Sequence, residues 1–512
     1  MKVPLTTADF LARAETVYAD RIGVIDEPTA HDSLGELTYG AVARRVRALQ
    51  AGLDELGVGV GERVAVVSPN AARHLELYYA VPASGRVLVP INFRLRTEEV
   101  EYIVEHSGAT VLLVDPETNE DIPTVSAKHR FLLGAESDDA LLRFDREPQP
   151  WADASEDATA TINYTSGTTA RPKGVQLTHR NVWLNAVTFG MHAGVSDWDV
   201  YLHTLPMFHA NGWGMTWTTA ALGVPQVVLR KVDGGEILNR IARHDVSLMC
   251  AAPAVVNAVL EAGATWEGPI PGAGRRARVV CAGAPPPSRT IERIEDELGW
   301  EFCQIYGLTE TSPLLTINRR RREQAGRPIT EISKELSRAG APALGVTLRI
   351  SDSGEVQARS NVVLEGYWQQ PDATADALED DWFHTGDGGV IDVEGYLTIS
   401  DRKKDIIITG GENVSSIEVE DCLFSAPGVV ECAVIGVPHE KWGETIKAIV
   451  VRGPDATCSE ADLIAHCKQR MAGYKAPTSI DFVDVIPRTA TGKVQKFKLR
   501  EPYWTGRERQ VN

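Results

Sequence analysis

The sequence is poor in several things that would have settled its class at once. Seven cysteines stand in 512 residues, none in a C-x-x-C pair or at metal-ligand spacing. That excludes a zinc ribbon or a disulfide framework and fits a reducing cytosol. No run is long and apolar enough to cross a bilayer. The opening MKVPLTTADFLARAETVYAD lacks a signal peptide's basic end, apolar core and small-residue cleavage site, and it reads as a short amphipathic helix. Cations are in the minority: 52 Lys and Arg against 70 Asp and Glu leave a formal charge of −18, which argues against nucleic acid or an anionic membrane surface as partner. A few placed cations and backbone amides can still build a local anion site. Internal repeats and low-complexity tracts are missing as well. The expectation is a cytoplasmic protein with no transmembrane segment.

What is present is length and alternation. A chain of 512 residues, 43% apolar and 24% charged, is too long for one core and should form two or more domains. Thr38 is placed to cap a helix that runs on toward Gly57. RVAVVSP, AARHLELYYAVPASG, RVLVPIN, RTEEVEYIVEHSG and TVLLVD then alternate strand and helix patterns, as a parallel, doubly wound sheet requires. A second series follows in DVYLHTLP, PQVVLR, VSLMCAAP, ARVVCAGAP and EFCQIYG, whose nearly continuous apolar character suits strands covered on both faces. From about residue 342 to 400 short strands with close turns, VVLEGYW among them, predict a small β-rich subdomain. After DRKKD the pattern becomes that of a compact α+β domain of about a hundred residues. The dense basic block Arg319 to Arg322 is expected to be a solvated loop, with a phosphate or coenzyme contact as the other reading.

The segment INYTSGTTARPKGVQLTHRN, residues 162–181, stands out from this background. An apolar strand leads into a turn rich in Gly and hydroxyls, with Lys173 behind it. Backbone amides, Thr165, Ser166, Gly167, Thr168, Thr169 and the Lys173 ammonium would together cradle an anion with several oxygens. The phosphate loop G-x-x-x-x-G-K-[ST] is not matched, because Pro172 precedes Lys173 and Gly174 follows it.

YTSGTTARPKG closely resembles the phosphate-binding loop of the acyl- and aryl-adenylate-forming enzymes. The resemblance continues in order through LPMFHANGWG, CAGAPPP, YGLTET, WFHTGDGGVI, DRKKDIIITGGENVSSIEVED, VPHEKWGE and PRTATGKVQKFKLR. One departure is Ala170, where many relatives carry Gly or Ser. The resemblance implies an α/β fold with a large N-terminal domain of doubly wound sheets plus the β-rich subdomain, residues 1–401. A small mobile α+β domain, 402–512, would follow a hinge near Lys404.

It also implies a two-step reaction. A carboxylate attacks the α-phosphate of ATP, pyrophosphate leaves, and a thiol such as that of CoA then displaces AMP from the acyl-adenylate. Tyr306 and Gly307 would lie at adenine, with Gly283, Ala284 and Pro285 lining the adenine pocket. Thr309 would contact the α-phosphate, while Glu310, with Thr165, would hold Mg²⁺. Asp387 and Arg402 would take the ribose. Lys493 would reach the α-phosphate and the attacking carboxylate, and His209 would gate the acid end. His209 and Trp213 would belong to an acyl pocket on a helix running from His209 to Thr219, and Gly411 would line the CoA tunnel. The motifs look most like short- to medium-chain acyl-CoA synthetases. An aromatic acid, or an acceptor other than CoA, stays open, and a homodimer is compatible with the reading.

Overall fold

The computed structural model describes residues 1–505 except 166–170, 276, 284–285, 403–404, 410–411, 440, 455 and 490–492, and for Asp401, Arg402 and Asn413 the backbone only. A large N-terminal α/β domain carries a smaller α+β domain at its C-terminal end.

The first large sheet has seven strands. From one edge they are Gly366–Tyr367, Lys173–Thr178, Thr159–Thr165, Val87–Ile91, Arg63–Val67, Ala109–Val114 and His129–Leu132. Alternation decides which face each residue takes. Val64, Val66 and Leu88 turn to one side and pack with the helices Tyr39–Glu55 and Ala72–Ala83. Ala65, Val67 and Val89 turn to the other, against Thr97–Ser107. Covered on both faces, these strands can be apolar at every position. Thr38 caps Tyr39–Glu55 by accepting from the Ala41 amide, as its sequence position predicted.

The second large sheet has nine strands and a parallel centre that runs Gln226–Val228, Tyr201–His203, Leu248–Ala251, Arg278–Cys281 and Glu301–Tyr306. The same alternation sends Leu202, Met249 and Val279 to the helices Gly234–His244, Pro253–Ala264 and Ser288–Glu297. It sends Tyr201, Cys250 and Val280 to a core shared with Trp213 and Phe189. Both sheets turn antiparallel toward an edge, as in Thr316–Arg319 beside Glu301–Tyr306.

The β-rich subdomain is present as Val346–Ile350, Glu355–Ser360, Leu378–Glu379, Trp382–Ile391 and Leu397–Arg402. VVLEGYW departs from expectation. Gly366–Tyr367 pairs with Lys173–Thr178 and so extends the seven-stranded sheet. Pairing follows the open edge beside the Gly/Ser/Thr segment, a long-range choice that the local pattern does not carry.

In the small domain a five-stranded sheet packs one face on the helices Ser416–Phe424 and Glu460–Arg470. The other face meets Leu499 and Tyr503 of Lys496–Trp504. An acidic side chain joins the two domains. The helix Ser288–Glu297 has Pro287 at its N-cap, with no side-chain cap of its own. Asp421 supplies the acceptor, taking the Ser288 amide at 2.9 Å and the Ser288 hydroxyl at 3.1 Å. Among the described residues no helix is long and apolar enough to cross a membrane.

Candidate active site

The strands Thr159–Thr165 and Lys173–Thr178 flank the Gly/Ser/Thr turn, and their register sets Thr165 opposite Lys173. Ser166, Gly167, Thr168 and Thr169 lie outside the described residues. The Lys173 ammonium sits 4.7 Å from the centre of the Tyr367 ring. The Tyr367 hydroxyl donates to Glu310 Oε1 at 3.0 Å. Glu310 lies in the short helical turn Thr309–Thr311, just after the strand Glu301–Tyr306, with Thr309 buried. Gly307 has to be glycine here, since a β-carbon would fall 1.5 Å from the Pro313 carbonyl oxygen.

Tyr306 ends its strand with the hydroxyl donating to Asp387 Oδ2 at 2.8 Å. Asp387 is 6% exposed, and its backbone lies opposite Arg402 in the antiparallel pair Trp382–Ile391 and Leu397–Arg402. The Arg402 side chain lies outside the described residues, as do Ala284, Pro285, Lys404 and Gly411.

Lys493, from the far end of the sequence, reaches the same cleft. Gly283 follows the strand Arg278–Cys281 with φ +97°, and a β-carbon there would stand 3.8 Å from Lys493 Cε. His209 shares this surrounding. Burial, reinforced by the Lys493 ammonium, pushes its imidazole down to about 3, so the ring is neutral near pH 7 and can exchange hydrogen bonds without adding charge.

The segment after His209 corrects the sequence expectation. The helix runs Met215–Leu222, and ahead of it Ala210–Gly214 forms a left-handed turn with Asn211 at φ +57°, Gly212 at +59° and Trp213 at +60°. Gly and Asn tolerate this region, whereas a Trp there is strained. Its surroundings hold it. Thr161 Oγ donates to Asn163 Oδ1 (2.9 Å), Asn163 Nδ2 to Asn211 Oδ1 (3.0 Å), and Asn211 Nδ2 back to Thr161 Oγ (3.1 Å). All three side chains are buried, and the closed ring gives each one a donor and an acceptor. Asn70 adds a second fastening, donating to the His203, Leu205 and Leu229 carbonyls and accepting from the Met207 amide. Trp213 itself is 4% exposed, packed in the core shared with Phe189 and Tyr201.

Sequence reasoning missed Tyr367, Thr161, Asn163 and Asn211. A visible signal existed for two of them: Thr161 and Asn163 are polar residues that alternate with the apolar Ala160 and Ile162 in the buried stretch of their strand. The block Arg319 to Arg322 is not the solvated loop expected: Arg319 ends the strand Thr316–Arg319, Arg322 opens a short helical turn, and the first three arginines are part-buried and paired. Arg319 meets Glu301, Arg320 meets Glu295 (2.8 Å), and Arg321 meets Glu394 (3.7 Å).

The AMP-binding enzyme family matches residues 11–368, and its C-terminal domain matches residues 418–493. The chain belongs to this family. The AMP-binding enzymes similar to it include relatives that match over nearly their whole length. A 2-methylpropanoate–CoA ligase of Humulus lupulus is 36% identical over 97% of this chain and 95% of its own length. The crystal structure of an anthranilate CoA ligase in complex with anthranoyl-AMP superposes with a TM-score of 0.87 at 26% identity, covering 98% of this chain and 99% of that one. ATP-bound MatB from Rhodopseudomonas palustris gives a TM-score of 0.83 at 30% identity, with 97% and 99% covered. Like its family, this AMP-binding enzyme is an adenylate-forming, acid-activating enzyme that uses ATP.

The donor set fits a divalent cation held jointly with a nucleotide. Among the described residues no group of three or more His, Cys, Asp or Glu could hold a metal alone. Mg²⁺ characteristically binds one or two carboxylates and completes its shell with phosphates and water. A single carboxylate, Glu310, beside the flanks of the Gly/Ser/Thr turn suits that mode.

Proposed function

We propose that this enzyme is a Mg²⁺-dependent, AMP-forming acyl-CoA ligase that activates a short- to medium-chain carboxylic acid and passes the acyl group to CoA. The observation that carries the proposal is the meeting of Lys493 with His209 and Gly283. It brings a cation from the C-terminal domain into a cleft whose other walls are Lys173, Glu310 and Asp387.

Attack of a carboxylate on the α-phosphate joins two anions, so positioned positive charge is the first requirement. Lys493 supplies it as a flexible point charge between the two reactants. Lys173 and the Gly/Ser/Thr turn take the outer phosphates, and Thr309 takes the α-phosphate. Asp387 and Arg402 take the ribose, and Tyr306 stacks on adenine beside Gly283, Ala284 and Pro285. Glu310 and Thr165 would hold the Mg²⁺, which offsets phosphate charge when bound. His209, neutral, gates the acid end of the pocket.

For the second step the small domain turns about Lys404, with the boundary between residues 401 and 402. Lys493 withdraws and Gly411 comes to line the thiol path. A cytoplasmic setting fits the reduced cysteines. An aromatic acid is the second reading, favoured by the 0.87 TM-score to an anthranilate CoA ligase. The deciding test is a panel of C2 to C16 and aryl acids, scored separately for pyrophosphate release and thioester formation. Pyrophosphate release with no thioester on any acid would remove CoA as acceptor.

A further inference from the structure

Lys173 and Glu310 carry opposite charges in one half-buried cleft, and each has a task that direct pairing would spoil. An ammonium locked to a carboxylate no longer answers phosphate, and a carboxylate locked to an ammonium no longer answers a cation. Tyr367 stands between them. Its ring centre lies 4.7 Å from Lys173 Nζ, and its hydroxyl gives a 3.0 Å hydrogen bond to Glu310 Oε1. The face of an aromatic ring attracts a cation, while its hydroxyl is a charge-assisted donor to an anion. One side chain therefore offers each charge a partner other than the opposite charge.

The backbone on both sides of Tyr367 is fixed. Gly366–Tyr367 pairs with Lys173–Thr178, Tyr367 opposite Val175. The Trp368 amide donates to the Gly174 carbonyl at 2.8 Å and the Tyr367 amide to Thr374 Oγ at 2.9 Å. The Leu364 amide donates to the Glu310 carbonyl at 2.7 Å. The strand that carries the tyrosine is thus anchored both to the strand that carries Lys173 and to the turn that carries Glu310.

We propose that Tyr367 is a positioning residue, a spacer that keeps the Lys173 ammonium and the Glu310 carboxylate apart so that each meets the nucleotide rather than the other. The inference rests on the proposed roles of Lys173 at phosphate and Glu310 at the cation.

The test is calorimetric binding of ATP in EDTA, together with the Mg²⁺ dependence of pyrophosphate release. Tyr367→Leu removes ring and hydroxyl, lets the two charges pair, and should weaken metal-free ATP binding about tenfold. Adding Glu310→Gln takes away the anion that traps Lys173. Binding by the double variant should then return to within about threefold of Glu310→Gln alone, a coupling that simple loss of packing would not produce. Tyr367→Phe keeps the ring and loses the hydroxyl, so metal-free ATP binding should stay within about twofold while the Mg²⁺ needed for half-maximal rate rises about fivefold. Equal ATP affinity in Tyr367→Leu and the unaltered protein, or a loss that Glu310→Gln does not relieve, would overturn this inference alone. No ATP binding by the unaltered protein would overturn it together with the nucleotide reading beneath it.

Discussion

The turn after His209 and the segment around Lys493 meet in one cleft but are held by different domains. The turn is fastened from several sides. The ring of Thr161, Asn163 and Asn211 closes beneath it, Asn70 grips the chain just ahead of it, and Asn185 Nδ2 donates to the Trp213 carbonyl. Lys493 is half-buried on a short hairpin, marked by an Arg488–Val494 bridge and a bond from its amide to Thr489 Oγ. The fastened part can tolerate five successive residues with positive φ, Ala210 to Gly214, because its surroundings over-determine it. The part bonded to its own small domain suits a group that the proposed second step withdraws. Substitutions on the two sides should therefore fail differently: those at Lys493 in one half-reaction with stability intact, those at the ring in stability and acid binding together.

The largest effect is expected at Lys493. Removing one preorganised donor from a developing oxyanion typically costs about 10²- to 10³-fold, so Lys493→Ala should lose that much adenylation. Conversion of supplied acyl-adenylate and CoA to acyl-CoA should stay within a few-fold, and the thermal midpoint should not move. Equal losses in both half-reactions would remove the proposed withdrawal.

The ring comes next. Thr161→Val is nearly isosteric but leaves Asn163 without its donor and Asn211 without its acceptor. Unsatisfied buried groups of this kind cost about 1–3 kcal/mol. The expected outcome is a lower denaturation midpoint and a higher KM for the acid, with the KM for ATP little changed. Thr161→Ser keeps the hydroxyl and should restore both. A Thr161→Val enzyme as stable as the parent would show that the turn does not depend on the ring.

These two sites also mark where the sequence was readable. The Gly/Ser/Thr segment, YGLTET, HTGDGG and TATGK could be picked out as candidates because turns rich in Gly, hydroxyls and charge are written locally, in consecutive residues. The layered α/β core was legible because alternation fixes which residues face each helix layer. Tyr367 and Asn211 were not. Their partners stand 57 and 48 residues away, and no local pattern announces a contact made through the fold. The left-handed turn was hidden for a related reason, since MFHANGWGMTW also suits a continuous helix until the ring is in place.

Acid should weaken the large domain. Burial holds His74, His179 and His203 down at about 4, each buried in the large domain. Between about pH 6.5 and 4 the unfolded chain binds protons at these rings that the folded chain refuses. The stability they contribute is therefore complete above pH 6.5 and is lost as pH falls toward 4, about 1–2 kcal/mol for each ring by pH 5. Denaturant midpoints measured from pH 7.5 to 5 should fall. His203→Gln, which removes one titrating ring, should flatten that slope, and an unchanged slope would remove His203 from the account.

The smallest effect is expected where the two domains touch. Asp421 caps the helix Ser288–Glu297 in place of Pro287, which has no side-chain acceptor to offer. A carboxylate at a helix N-terminus gains from the Ser288 amide and hydroxyl and from the dipole, about 0.5–2 kcal/mol in sum. That gain exists only while the domains stand as they do with Lys493 beside His209, so Asp421 favours this arrangement over any other. Asp421→Ala should slow adenylation about three- to tenfold by drawing Lys493 from the cleft part of the time, an amount set by the capping energy. It should leave thioester formation from supplied adenylate equal or slightly faster, because that step no longer has to break the contact. Pyrophosphate release and acyl-CoA formation, followed separately on Asp421→Ala and Ser288→Ala, read the two directions. Both half-reactions slowed alike would mean that Asp421 only steadies its own helix, and that the contrast between a fastened turn and a releasable lysine does not extend to the domain contact.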